Sequence, residues 1–252
     1  MTMALQFAAS QLLGARAHQE DDFRFLDLAG DESLDGGGLL MVLADGMGGH
    51  AAGATAAALS VQTFIDDFAA FAGDLDQRLA HGLAESNNAI AEHLSVTPAD
   101  DGMGCTLVGL VLSARGMEWI SVGDSPAWRI RGGQMERLNA DHSMAPVIAR
   151  QVQRGEMTPK LAAMHPSRNA LRSAVMGEKI ALVDHRTDPL EVLAGDRIVV
   201  ASDGLQSLDE PEIAAIAGGT DANTIADQLA ANVVALDAPR QDNTTVMVAV
   251  VE

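Results

Sequence analysis

The strongest constraint on this chain comes from short apolar runs rich in Val, Ile and Leu, at residues 38–44, 106–112, 117–122, 197–201 and 244–251. Runs of that length and composition read as strands. Residues 5–12 form a further candidate at the start of the chain. The runs at 106–112 and 117–122 are joined only by Ser113-Ala-Arg-Gly116. That connection suits a hairpin, whereas a parallel pair needs a crossover of a dozen residues or more. Longer Ala-rich segments lie between the runs. Residues 51–70 follow a Gly-rich turn and read as a helix, and residues 74–96 carry Leu75, Leu79, Leu83, Ile90 and Leu94 on one stripe. Ile225, Leu229 and Val233 repeat that spacing within 220–235. Antiparallel pairing mixed with helices predicts an α+β fold and disfavours a doubly wound one.

Composition narrows the function. The chain has 252 residues and a formal charge of −19. Nucleic-acid backbones are bound by Lys and Arg that release counterions, so this balance argues against them. Zero Tyr, 2 Trp and 6 Phe also leave few surfaces on which bases could stack. No apolar run approaches the ~20 residues of a membrane span, and the N-terminus lacks the basic segment of a signal peptide. The single cysteine, Cys105, leaves no disulfide framework and no cysteine-built zinc site. A cytoplasmic domain is the expectation. Residues 141–177 differ from the rest, gathering Arg150, Arg154, Lys160, Arg168 and Arg172 around three prolines. They read as a surface excursion with short helices, either a solvated connection or a flap over a site.

Acidic residues recur where the apolar runs end. Asp45, Asp124 and Asp203 each follow such a run, Asp242 and Asn243 precede the last one, and Glu20-Asp21 follow the first. A single Asp-Gly after an apolar run is ordinarily a turn. Several carboxylates converging at one sheet edge repel one another unless protons or cations neutralise them. An oxygen-only donor set suits Mg²⁺ or Mn²⁺ and disfavours zinc, and paired ions of that type activate water against phosphoryl groups. Arg16 is either a surface charge or a fork for phosphate. Gly46-Met-Gly-Gly-His-Ala-Ala-Gly53 lacks both the P-loop ending and the dinucleotide glycine order, so no nucleotide motif is present.

The blocks Gly14-Ala-Arg16-Ala-His-Gln-Glu20-Asp21, Leu43-Ala-Asp45-Gly-Met-Gly-Gly-His-Ala-Ala-Gly53 and Met103-Gly-Cys-Thr106 open a longer series. It continues with Val122-Gly-Asp124-Ser125, Leu138-Asn-Ala-Asp-His-Ser143, His165-Pro-Ser-Arg-Asn169, Ala201-Ser-Asp203-Gly204 and Gln241-Asp242-Asn243-Thr-Thr. In this order they resemble the bacterial branch of the protein phosphatase 2C family, the metal-dependent serine/threonine phosphatases. The resemblance covers essentially the whole chain.

It implies one catalytic domain over 1–252 with a flap at about 141–177. The implied architecture is a four-layer αββα sandwich of two antiparallel sheets flanked by helices. It further implies two Mn²⁺ or Mg²⁺ ions, with Asp45 bridging them and the Gly46 carbonyl completing one site. Asp203 and Asp242 would hold the first ion, and Glu20 and Asp21 the second, directly or through water. Asp124 matches a residue that holds a third, weaker ion. Arg16 would bind the substrate phosphate, and Asn243 would support the Asp242 region. The implied reaction is hydrolysis of phosphoserine and phosphothreonine in proteins by a metal-bridging water, opposing a Ser/Thr kinase.

Three positions depart from the family pattern: Gln19 for Asn, Pro126 for Arg, and Met47 where eukaryotic members place a histidine proposed as general acid. None removes a ligand. Cys105 reads as a packed strand residue and not as a nucleophile. Two rival readings are a pseudophosphatase that docks phosphoproteins without turnover and a hydrolase of another phosphate ester. The stretch Leu171-Arg-Ser-Ala-Val-Met-Gly177-Glu178 resembles phosphatases associated with type VI secretion. A monomer is expected, since no heptad or exposed apolar face is evident.

Overall fold

The computed structural model describes residues 3–31, 33–34, 36–49 and 51–252. Two antiparallel sheets are stacked face to face, each covered outside by helices. One sheet joins β1 (Leu5–Leu12), β11 (Thr244–Val251), β10 (Arg197–Ala201), β7 (Ala127–Arg131) and β8 (Gln134–Arg137), in that spatial order. The other runs β2 (Asp21–Asp27), β3 (Gly38–Met47), β5 (Leu107–Ser113), β6 (Gly116–Val122) and β9 (Asp184–Leu190), with the short β4 (Gly104–Cys105) paired to β3. Helices α1 (Ala51–Ala70) and α2 (Leu75–Val96) cover the second sheet; α5 (Glu210–Ala217) and α6 (Ala222–Ala235) cover the first. This is the four-layer αββα arrangement.

Strand periodicity sorts the core into three apolar layers. Alternate residues of a strand face opposite sides. Leu39, Met41 and Leu43 of β3 therefore meet Met247 and Ala249 of β11 between the sheets. Leu40, Val42 and Ala44 turn outward against Phe64 and Phe68 of α1 and Leu79 of α2. Val246, Val248 and Val250 of β11 face Ile225, Leu229 and Val233 of α6. Both faces are buried, so these strands read as unbroken apolar runs and not as alternating ones. Close packing here depends on bare backbone: a Cβ on Gly109 would lie 2.5 Å from the tip of the Phe64 ring.

Helix starts follow from local chemistry. Asp74 caps α2 by accepting the Gln77 N–H at 3.0 Å while the Gln77 side chain reaches back, and Asp221 caps α6 through the Thr224 N–H at 2.7 Å. Several strand boundaries differ from the expectation by one to three residues, and two of them have a clear cause. The run at 38–44 continues as strand through Asp45 and Gly46 to Met47, because Gly46 and Met47 pair with Cys105 and Gly104. The strand expected from Thr106 begins at Leu107, because the Thr106 hydroxyl accepts the Asp45 N–H at 3.0 Å in place of a ladder bond. Residues 141–177 contain two short helices, α3 (Ala145–Gln153) and α4 (Pro159–Ala163). They return to the body where Arg172 N–H donates to the His142 carbonyl at 2.8 Å and Gly177 N–H to Asn87 Oδ1 at 3.0 Å. Among the described residues no helix is long and apolar enough to cross a membrane.

Candidate metal centre

Strand ends from both sheets meet at one edge and carry acidic residues there. Asp21 opens β2 and stands directly across from Asp45 of β3 in the antiparallel register. Asp124 lies just past β6, Asp203 just past β10, and Asp242 just before β11. Arg16, Glu20, Asp45, Gly46, Asp124, Asp203, Asp242 and Asn243 line one cavity of about 690 Å³. Asp21 does not line it; this residue is only 7% exposed and sits behind.

Asp21 is held through its side chain, and Asp45 and Glu20 through their backbone. Asp21 Oδ2 accepts from Ser202 Oγ and from Thr245 Oγ1, both at 2.7 Å. Its Oδ1 is buried with no hydrogen-bond partner. Asp45 is fixed through its backbone: its N–H donates to Thr106 Oγ1, and Thr106 N–H returns to its carbonyl at 2.9 Å. Thr106 Oγ1 also lies 2.7 Å from Ser125 Oγ, which ties the Asp124 turn to the same point. Asn243 Oδ1 accepts the Glu20 N–H at 2.9 Å, and its Nδ2 donates to the Leu13 carbonyl at 2.8 Å. It thereby joins the end of β1, the Glu20 loop and Asp242. Gly46 carries no side chain because none fits: a Cβ would lie 2.3 Å from the Gly53 carbonyl and 2.4 Å from that of Glu20.

The electrostatics are those of a site short of positive charge. Burial, then repulsion from Asp124, Asp242 and Asp21, pushes Asp203 up to about 7. Burial raises Asp21 to about 6 against its two hydroxyl donors, and burial with repulsion from Asp141 raises Asp124 to about 6. Asp45 is raised well above the usual carboxylate range by burial and by Asp21, Asp203, Asp124 and Asp242. Arg16 Nη2 donates to Asp242 Oδ2 at 2.5 Å, so the residue expected at the substrate phosphate here neutralises one carboxylate. Among the described residues no three His, Cys, Asp or Glu side chains are already gathered at ion-ligating distance. The donors nonetheless suit a hard divalent cation: carboxylates with raised proton affinity, a peptide carbonyl at Gly46 and a buried unpartnered oxygen on Asp21.

Several contributors were not singled out from the residues. Thr106, Ser125, Ser202 and Thr245 carry no charge, and only the register places their hydroxyls beside Asp45 and Asp21. Arg172 and Lys179 line the cavity together with Asn169 and Met176. Cys105 is fully buried, with its thiol pushed up to about 12 by burial and its Sγ 3.2 Å from Ser60 Oγ. That thiol is packing, not a nucleophile.

Residues 16–234 match the sequence model of the family described as protein phosphatase 2C. The serine/threonine protein phosphatase PstP of Mycobacterium tuberculosis is 31% identical over 227 residues, which are 85% of this chain and 41% of that protein. The chain thus spans less than half the length of that relative. The crystal structure of the PstP catalytic domain in complex with two manganese ions has a TM-score of 0.79 at 29% identity, covering 99% of each chain. PppA, described as a key regulatory component of the type VI secretion system in Pseudomonas aeruginosa, has a TM-score of 0.76 at 27% identity, covering 98% of each. The sequence match runs from the arginine beside Asp242 into the last helix, and the fold likeness extends over nearly the whole chain. The chain belongs to the protein phosphatase 2C family.

Proposed function

We propose that this chain is a phosphatase that hydrolyses phosphoserine and phosphothreonine in proteins, using two Mn²⁺ or Mg²⁺ ions. The observation that carries the reading is the meeting of Asp21, Asp45, Asp124 and Asp203, all of raised proton affinity, at one edge of the sandwich. The two manganese ions in the related catalytic domain support the same number here. In this reading Asp45 and the Gly46 carbonyl would be ligands to the ions. Asp203 and Asp242 would hold the first ion, Glu20 and Asp21 the second, directly or through water, and Asp124 a third, weaker one. Bound ions would supply a water of lowered pKa and Lewis-acid neutralisation of the phosphoryl oxygens.

The chain's own residues supply position and charge. Arg16 is half-exposed on a loop and already bonds a carboxylate oxygen, so its planar fork is suited to phosphoryl oxygens as well. Asn243 holds Glu20 and the Asp242 turn in fixed relation. Met47 cannot donate a proton, so protonation of the leaving Ser or Thr oxygen falls to another donor. Residues 141–177 act as a flap on a single catalytic domain, and a cytoplasmic monomer opposing a Ser/Thr kinase is the setting we infer. The likeness to PppA supports a role beside type VI secretion. A kinase and a forkhead-associated protein encoded next to this chain would strengthen that link, and unrelated neighbours would count against it.

Hydrolysis of a phosphothreonine peptide by metal-stripped protein, with and without Mn²⁺, tests the activity. Turnover should appear only with Mn²⁺ and fall at least 100-fold in Asp203→Asn. Equal inertness of stripped and Mn²⁺-loaded protein, on the peptide and on p-nitrophenyl phosphate alike, would refute it and favour phosphoprotein docking without turnover.

A further inference from the structure

Two hollows meet at the carboxylate cluster. The cavity of about 690 Å³ extends toward Arg172 and Lys179, and a second of about 370 Å³ extends toward Arg168 and Arg240. Both are lined by Asp124, Asn169, Asp203 and Asp242. An extended peptide whose phosphorylated residue sits at the cluster would place neighbouring residues in both hollows, since each residue advances about 3.3 Å.

The cations in those hollows are unspent. Elsewhere Arg78 pairs with Asp31, Arg131 with Asp196 and Arg129 with Glu136, whereas Arg115, Arg150 and Arg154 share with the hollow cations the lack of an ion pair among the described residues. Arg168, Arg172, Lys179 and Arg240 are exposed and make no ion pair or side-chain hydrogen bond among the described residues. This placement opposes the bulk charge of the chain. At −19 the surface as a whole favours basic segments, but screening limits that field to about 8–10 Å near physiological salt, whereas groove cations act at contact.

We propose that Arg172 and Lys179 in one hollow, with Arg168 and Arg240 in the other, select phosphoprotein segments that carry Asp or Glu on both flanks of the phosphorylated residue. The inference rests on the phosphatase reading for the phosphoresidue at the cluster. The Arg172 backbone bond to His142 does not involve its side chain, so side-chain truncation leaves the return of the flap intact.

The test uses matched peptides with acidic, alanine or basic flanks. One set carries a non-hydrolysable phosphonate for binding by fluorescence anisotropy, and the other carries phosphothreonine for turnover, both with Mn²⁺. Acid-flanked peptide should bind about fivefold more tightly than alanine-flanked peptide at low salt, since an exposed charge pair contributes a factor of about 1.4 to 5. In the double variant Arg172→Ala/Lys179→Ala that ratio should fall below about twofold. In Arg115→Ala, at the far hairpin, it should persist. Equal binding of all three peptides, tighter binding of the basic one, or an unchanged ratio in the double variant would overturn the inference. Turnover without acidic preference would sink the selectivity and leave the phosphatase standing; acidic preference without turnover would do the reverse.

Discussion

Thr245→Val probes the least exposed carboxylate of the site. Thr245 Oγ1 donates one of two hydroxyl bonds to Asp21 Oδ2, at 2.7 Å, and valine keeps the shape and β-branching while removing the donor. A hydrogen bond to a charged group contributes about 1.5–3 kcal/mol, and one to a neutral group about 0.5–1.5. The loss should therefore depend on whether Asp21 is ionised. Its pKa in the folded protein is raised to about 6, above the unfolded value of about 3.9. The folded state then binds more protons between these values, so this group's contribution to stability is full at low pH and declines as pH rises through 6. At pH 8 the carboxylate is charged and the lost donor should cost about 1.5–3 kcal/mol; at pH 5 it is protonated and the cost should be about 1 kcal/mol less. The difference corresponds to a further rise of about one pKa unit for Asp21. Thr245 Oγ1 also accepts from Gln11 Nε2 at 3.0 Å, but that loss is the same at every pH and cancels. Thermal melts of metal-stripped wild type and variant at pH 5 and 8 would read it: the Tm gap should widen by about 2–4 °C at the higher pH. An equal gap at both pH values would refute the claim that Asp21 titrates in this range and leans on Thr245.

Two further predictions follow from the same electrostatics. Mn²⁺ binding must displace protons held by Asp21, Asp124 and Asp203, so affinity should rise steeply from pH 5 to 8. Calorimetry at pH 6 in buffers of different ionisation enthalpy should find at least about one proton released, and a buffer-independent heat would contradict this. Away from the site, Asp196 is fully buried and accepts two bonds from Arg131, both at 2.6 Å, plus the Leu193 N–H at 2.9 Å. These donors hold its carboxyl below the usual carboxylate range against the opposing effect of burial. The contribution is therefore present above about pH 4 and lost as pH falls below it. Asp196→Asn should destabilise by about 2 kcal/mol at pH 7, discounted from a fully buried pair because Arg131 is partly exposed, with the gap closing toward pH 3. A urea-midpoint difference that is flat across that range would contradict the assignment.

Legibility in the sequence tracked burial. β3 and β11 could be read because both faces are covered and residues 39–44 and 246–250 are all apolar. The stripe Leu75, Leu79, Leu83 and Ile90 announced α2, whereas the capping role of Asp74 emerged only from the structure. By contrast β2, Asp-Asp-Phe-Arg-Phe-Leu-Asp, and β9, Asp-His-Arg-Thr-Asp-Pro-Leu, lie at the two edges of their sheet with part of their residues in solvent. Such strands need no continuous apolar run, and an edge tolerates Pro189, which has no N–H to donate.

The site divides along the same line. Sequence alone determined which residues carry charge and that they stand at strand ends, since local hydrophobic pattern and Asp-Gly turns are properties of neighbours in the chain. It also carried the family resemblance in ordered blocks. Only the tertiary structure decided that Asp21 faces Asp45 across two strands, that Ser202 and Thr245 hold Asp21, and that Arg16 rests on Asp242. It likewise decided that Arg172 and Lys179 share a cavity with Asp45 and Asp203. The physical reason is range: propensity and periodicity act over a few residues, whereas proton affinity and charge complementarity depend on groups more than a hundred residues apart brought to contact by sheet register.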